Sequence, residues 1–362
     1  MNKIAEGKMN REMPEVGKIS PEIFDEIILP QLGHQDDSVL VGPQHGVDVG
    51  VVDLGNGKVM AMTSDPVFIV PEYGWERAAW FAIHILASDA STSGLPPRYM
   101  TIDLNLPLEI TSEQFARTWS TMHSECQKLG ISIVTGHTGR YHGCNYPMVG
   151  GATVISVGSK NRYVTPKGAV VGDKVIITKG AAVEAAGLFA VTFPQKIAQA
   201  YGNSFAEEAE NIFWQMSVVK DALTAVEVGV RDEAVTAMHD ATECGVWGGL
   251  YEVAQASGVG MLIHKEKIIV QENIKKICQL FEIDPYSSIS EGTLIITCRP
   301  QKAQAVIERL SQENIPASIV GEVIPIEEGI HLQDNEGTHP LKHPRVDPFW
   351  LAFAKAAEEA KS

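Results

Sequence analysis

The sequence predicts an α+β fold in two domains, on three observations. At 362 residues the chain exceeds what one hydrophobic core usually organises. Its first half reads β-β-α-β-α-β-β, an order that suits helices laid on one face of a sheet. A segment rich in turn residues and charge, "KNRYVTPKGAVVGDKV", then separates that half from a second that repeats the same grammar. The predicted division is a flexible arm over 1–20, a first domain over 21–160, a second over 164–345 and a helical tail over 346–362.

After the arm, "SPEIFDEIILPQL" offers Ser20 as an N-cap, Pro21 at the first helical position and acids in the first turn. "VDVGVVDL", "GNG" and "KVMAMTSDPVFIV" read as a hairpin with Asn56-Gly57 at its tip. "GWERAAWFAIHILASDASTSG" is a helix that Gly94, Pro96 and Pro97 end. The strand "RYMTIDLNLPLE" precedes the helix "TSEQFARTWSTMHSECQKLG", capped by Thr111 or Ser112 and stopped at Gly130. "ISIVTGHTG" reads as a buried strand entering a polar turn, and "MVGGATVISVGS" as the next strand.

In the second half, "KVIITKG" is a strand, helices occupy about 183–228, and "MHDATECGVWGGL" opens a further helix. "GMLIHKEKIIV", helix "NIKKICQLF", strand "GTLIITC", helix "QKAQAVIERLSQE" and strands "ASIVGEVI" and "GIHLQD" complete the domain. "DPFWLAFAKAAEEAKS" reads as one short amphipathic helix. Trp75 and Trp80 read as core or dimer packing, with a substrate lid as the alternative, and His84 as a hydrogen-bonded core histidine.

A net charge of −16 argues against a nucleic-acid surface, because phosphate backbones are bound through Lys and Arg. No run of about 18 apolar residues suggests a membrane span, and the polar N-terminus lacks a signal-peptide core. A cytoplasmic protein is expected. The five cysteines (126, 144, 244, 278 and 298) form no CxxC pair or zinc spacing, as expected of thiols in a reducing compartment.

Acids and one imidazole stand where predicted elements end: Asp48 in "GVD", Asp65 in "TSD", Asp89 in "ASD" and His137 in "TGHTG". Each alone reads as a cap or turn former. Converging, carboxylates are what a Mg²⁺-triphosphate requires, since Mg²⁺ takes a few carboxylates and completes its shell with water and phosphate oxygens. No G-x-x-x-x-G-K-[ST] and no strand-borne G-x-G-x-x-G occurs, which disfavours the usual phosphate-cradling folds. Asp240 and Thr242 precede Gly245, Gly248 and Gly249. There a helix N-terminus can meet an anion at close backbone approach; the plainer reading makes Asp240 or Thr242 an N-cap.

Taken in order, these motifs resemble the AIR (aminoimidazole ribonucleotide) synthetase superfamily, with its hydrogenase maturation (HypE), selenophosphate synthetase and thiamine monophosphate kinase branches. "GVDVGVV" resembles its G-D-D-A-x-V, "AMTSDPV" its T-x-D strand and "ASDASTSGLPPRYM" its [NS]-D-x-x-x-x-G-x-x-P helix end. "GISIVTGHTG" resembles I-x-x-G-[DH]-[ST], and "HDATECGVWGGL" resembles D-x-T-x-G-G. The likeness spans about 40–325. It implies an N-terminal sheet domain that dimerises, a C-terminal α/β sandwich domain covering it, and ATP in the cleft. It implies Asp48, Asp65 and Asp89 as Mg²⁺ ligands and Gly136, His137 and Thr138 as a phosphate-side turn. Asp240, Thr242 and Gly245 match the second-domain segment facing the cleft.

The departures bear on the reaction. Val346-Asp347 stand where the maturation branch ends in P-R-I-C, Val47 replaces the first Asp of G-D-D-A, and Cys244 takes a glycine position. Ser88 and His137 resemble the selenophosphate branch, yet no cysteine precedes Cys126. The resemblance therefore implies phosphoryl transfer from ATP to a carbonyl, amide or phosphate oxygen of a small or protein-borne substrate. The alternative is a non-catalytic nucleotide-binding scaffold or maturation partner.

Overall fold

A computed structural model of the chain describes Met13, Ile19 and residues 21–360. The predicted arm and the Ser20 cap lie outside the described residues, apart from Met13 and Ile19. Helix α1 (Pro21–Ile23) opens an irregular helical stretch that runs on as a π turn (Phe24–Ile28) and a 3-10 turn (Leu29–Gln31). A strand that the sequence did not suggest, β1 (Val39–Val41), then precedes β2 (Gly50–Gly55) and β3 (Lys58–Phe68). The β2–β3 hairpin turns through Asn56 and Gly57, both at positive φ (51° and 71°), the conformation a tight right-twisted hairpin demands.

Helix α2 (Trp75–Thr92) leads to β4 (Pro97–Leu106), α3 (Ser112–Leu129), β5 (Ser132–Arg140) and β6 (Met148–Ser159). Thr111 caps α3 in a reciprocal capping box with Gln114, and Gly130 ends it in the left-handed conformation. The sheet order is β1-β2-β3-β6-β4-β5, antiparallel except for the parallel β4–β5 pair. Alternate residues of β3, β4 and β6 (Val67, Met100, Ile102, Ala152, Val154) bury against α2 and α3.

Strand β5 corrects one expectation. It is an exposed edge strand, and it runs straight through Gly136, His137 and Thr138 rather than turning there.

The second sheet has the order β13-β12-β9-β11-β7-β10-β8. Chain order runs β7 (Lys174–Thr178), α4 (Val183–Thr192), α5 (Pro194–Tyr201), α6 (Asn203–Ala209), α7 (Val219–Ala225), β8 (Val235–Asp240) and α8 (Gly245–Ser257). It continues as β9 (Gly260–His264), α9 (Glu272–Leu280), β10 (Leu294–Cys298), α10 (Ala303–Gln312), β11 (Ala317–Ile324), β12 (Ile330–Asp334), β13 (Gly337–Pro340) and α11 (Pro348–Glu359). Strands β7, β8 and β10 are buried almost throughout, as apolar strands covered on both faces should be.

The two units meet along α2, whose C-terminal half is buried except for the half-buried Ile85. Ser88 Oγ accepts from the Val218 amide at 3.0 Å, and His84 Nδ1 meets Ser217 Oγ at 2.8 Å. Trp80 stacks on His84 and packs against Phe213, so this tryptophan joins the two units within one chain. Among the described residues no helix is long and apolar enough to cross a membrane.

Candidate functional site

The hairpin, α2 and the second unit enclose a cavity of about 1200 Å³. Asp48, from the loop entering β2, Asp65 on β3 and Asp89 on α2 all line it. Three acids separated by up to 41 residues thus converge because β3 and α2 pack face to face. Thr63 Oγ1 donates to Asp89 Oδ2 at 3.1 Å, one alternation before Asp65 on the same strand.

The second unit adds more acid. Asp240 ends β8 fully buried, Glu291 precedes β10 at 2% exposure, and Glu184 sits in the first turn of α4. Neither oxygen of Asp240 or of Glu291 receives a well-formed hydrogen bond, although Ser88 lies near Glu291 and the carboxyls neighbour one another. Glu184 Oε2 accepts the Glu291 amide at 2.9 Å. Buried carboxylates without donors are costly, and their acidities show it. Burial, then Asp240, Asp65 and Asp48, push Asp89 well above the usual carboxylate range. Burial and Asp48 raise Asp240 to about 6. Burial raises Glu184 to about 8, with Asp347, Glu243 and Asp240 adding to it; burial and Asp240 likewise raise Glu291 well above its ordinary value. The Asp89, Asp240 and Glu291 carboxyls lie against one another, and a hydrogen bond forms between such a pair only when one member carries a proton.

His239 is the cation of this site. Its Nδ1 meets Asp48 Oδ2 at 2.5 Å and its Nε2 meets Glu252 Oε2 at 2.8 Å. Burial opposes the charged imidazolium, but the two flanking acids outweigh it and hold the pKa well above normal. Asp48, His239 and Asp240 carry donor atoms within 4.8 Å of one another. With both ring nitrogens engaged, His239 holds Asp48 in place, and the carboxylates are the atoms available to a metal. Such an all-oxygen donor set with unpartnered buried oxygens suits Mg²⁺.

Around "MHDATECG" the local structure departs from expectation. Residues 235–240 form β8, and α8 starts only at Gly245, with Cys244 as its N-cap at φ 61° and no side-chain cap. Neither Asp240 nor Thr242 caps the helix. Thr242 lines the cavity, while its carbonyl accepts the Gly245 and Ser290 amides at 3.0 and 3.2 Å. Gly245 has a steric reason to be glycine: at φ 57° an added Cβ would lie 2.4 Å from the Ser288 carbonyl oxygen. Cys244 is buried, its Sγ donating to the Pro344 carbonyl at 3.2 Å.

Gly136, His137 and Thr138 do not reach this cavity within one chain. They pair with Ile102, Asp103 and Leu104 at the far edge of the first sheet, and His137 Nε2 meets Tyr141 Oη at 2.8 Å. A Cβ on Gly136 would sit 2.1 Å from the Ile102 carbonyl oxygen, so strand packing alone accounts for that glycine. Sequence reasoning missed Glu184, His239, Glu291 and Asp347. A usable signal was there: each is a charged or titratable residue set inside an apolar run, "AAVEAAGLFAV", "AMHDA", "ISEGTLII" and "VDPFWLAF".

The chain matches "AIR synthase related protein, N-terminal domain" over residues 46–157 and "AIR synthase related protein, C-terminal domain" over residues 170–332. It is 20% identical to a putative hydrogenase expression/formation protein of Methanocaldococcus jannaschii, over 94% of this chain and 98% of the relative. It is 24% identical to the carbamoyl dehydratase HypE of Escherichia coli, over 95% and 97%. Among solved structures it resembles a HypE–HypF complex (TM-score 0.71, 22% identity, 89% of this chain and 99% of that one). It also resembles HypE in complex with ATP (TM-score 0.63, 20% identity, 92% and 97%). At these identities the solved structures establish a shared fold.

Proposed function

Because the chain belongs to the AIR synthase-related superfamily, we propose that it is an ATP-dependent phosphoryl-transfer enzyme activating a carbonyl, amide or phosphate oxygen of its substrate. One observation carries this reading: Asp48, Asp65 and Asp89 of the first unit and Glu184 and Glu291 of the second converge on a single cavity, and Glu291 there receives no well-formed hydrogen bond from the protein. The ATP complex of a similarly folded HypE and the name of the Escherichia coli relative, carbamoyl dehydratase, support the nucleotide and the activation of a carbonyl-type oxygen.

Asp48, Asp65 and Asp89 are the proposed Mg²⁺ ligands, with Asp240 approaching from the second unit. The bound ion supplies charge neutralisation along the triphosphate. The chain's own task is positioning. His239 fixes Asp48 between two hydrogen bonds, and Thr63 fixes Asp89. Thr242 and the Gly245 backbone bring the start of α8 toward the cavity. In the transfer the acceptor oxygen bonds to the γ-phosphorus while the bond from that phosphorus to the β–γ bridging oxygen breaks, releasing ADP. No side-chain nucleophile is required.

A homodimer is part of this proposal. The half-buried outer face of the first sheet (Val52, Met60, Met62, Ile155) is the proposed contact, and Val52 and Met62 also line the cavity. Gly136, His137 and Thr138 can reach a nucleotide only from a partner copy.

Calorimetry with Mg-ATP should show saturable binding that Asp48→Asn, Asp65→Asn and Asp89→Asn each weaken. Incubation with candidate acceptors should then release ADP. Absence of any Mg-ATP binding by the intact chain would overturn the reading.

A further inference from the structure

The cavity is larger than one ligand needs. Ligand pockets usually enclose about 300–1,000 Å³, and this one holds about 1200 Å³. Its apolar walls also come from two different cores. Val41, Val49 and Val51 belong to a small cluster beneath β1 and β2. Tyr73, Phe81, Leu188 and Phe193 belong to the large aromatic core of the second unit. Against that second wall lies one face of α11 and its C-cap: Trp350, Phe353, Ala357 and the capping Ala360 all line the cavity, spaced three, four and three residues apart, the repeat of a single helical stripe.

We infer that the acceptor is a diffusible molecule with an apolar body and an uncharged, hydrogen-bonding head, seated in the lobe between α4 and α11, and that the α11 stripe selects which bodies fit. The inference rests on the phosphoryl-transfer reading only for the identity of the second ligand.

Helix α11 is built as a wall rather than as a carrier arm. Asp347, 5% exposed, caps it by accepting the Phe349 amide at 2.9 Å, and also accepts the Cys244 amide at 2.7 Å. Phe349 is buried beside Phe189 and Phe353. Lys196–Glu359 (2.7 Å) and Lys355–Glu282 (3.1 Å) tie the helix outside. Val346 and Asp347 hold no thiol, and the start of α11 is fixed by Asp347 and Phe349, so this segment does not itself supply the acceptor group.

Its head is constrained by Glu184 and Glu291, which both line the lobe. Neither Glu291 oxygen receives a well-formed hydrogen bond from the protein, so a head that offers hydrogen bonds is held there. Glu243 also lines the cavity, and this concentration of carboxyls disfavours an anionic head.

The test uses the intact chain and N-phenyl-1-naphthylamine, an uncharged apolar fluorophore that brightens on leaving water. It should bind saturably at one site per chain and remain bound under saturating Mg-AMPPNP. Ala357→Trp, which fills the stripe, should weaken it about tenfold; Leu351→Ala, on the exposed side of α11, should not. If Ala357→Trp fails to fold, Ala357→Leu supplies a smaller obstruction. Displacement of the dye by Mg-AMPPNP would make the lobe the nucleoside pocket and overturn the inference. So would unsaturable dye binding, or affinity indifferent to the residue-357 variants. Dye binding by a chain that ignores Mg-AMPPNP would instead defeat the nucleotide reading and leave the lobe standing.

Discussion

Glu184 offers the sharpest test of how the carboxyls are held. Its side chain is half-buried in the first turn of α4, and its acidity is shifted from 4.5 to about 8, chiefly by loss of solvent around it. Below 4.5 both folded and unfolded chains carry the proton, and no cost arises. Between 4.5 and about 8 the unfolded chain releases a proton that the fold retains, so stability falls as pH rises, by about 1.4 kcal/mol per pH unit. Above about 8 the cost levels off at about 5 kcal/mol. Glu184→Gln keeps an oxygen for the Glu291 amide and removes the titration. Urea unfolding followed by tryptophan fluorescence, in EDTA at pH 5, 6, 7 and 8, measures the difference between the two proteins. The variant's advantage should grow by about 3 kcal/mol from pH 5 to pH 7. A difference that stays flat across that range would refute the reasoning, because it would mean that Glu184 is hydrated or neutralised by a cation.

Asp89→Asn should act with opposite signs in two states: neutral or stabilising in EDTA, where a repelled buried acid is removed, and deleterious with Mg-ATP. The wild type should gain about 2.7 kcal/mol at a ligand concentration 100 times its Kd, and thermal shift should show the variant losing most of it. Gly245→Ala places a Cβ 2.4 Å from one carbonyl oxygen and 2.9 Å from another in a left-handed residue. Denaturant midpoints should fall by about 1–3 kcal/mol or more, and a silent substitution would disprove the close approach. Asp347→Ala removes the α11 cap and the acceptor of the Cys244 amide. About 1–2 kcal/mol should be lost, with hydrogen exchange accelerating first in 348–359; unchanged protection there would contradict the pinning of the helix.

Much of the fold was readable because its periodicities are clean. The hairpin at Asn56-Gly57, the Thr111 cap and the Gly130 stop each depend on local chemistry that a short window contains. Strand β8 was not readable. "VTAMHD" is buried on every residue, so it shows no alternation, and its glycine-rich successor drew attention to the helix. Strand β5 failed for the converse reason. Its apolar start suggested burial, but whether an edge strand is covered depends on what lies beside it, which no window of sequence records.

The site divided along the same line. Asp48, Asp65 and Asp89 were legible because each stands beside a turn or an element end, where an acid has a chemical reason to be noticed. Glu184, Glu291 and His239 lie inside apolar runs, and their meaning comes only from pairing across 107 residues or more: Glu184 with the Glu291 amide, His239 with Asp48. A fold has little structural use for several neighbouring carboxyls whose burial raises their pKa and which receive so few hydrogen bonds. A hydrophobic residue of similar size at Asp240 or Glu291 would stabilise the empty protein. The cost is sensible where a ligand supplies the missing partners. Glu291 lines the same cavity as Asp48, Asp65 and Asp89, with Asp240 beside Asp89, which is where the proposed ligand would supply them.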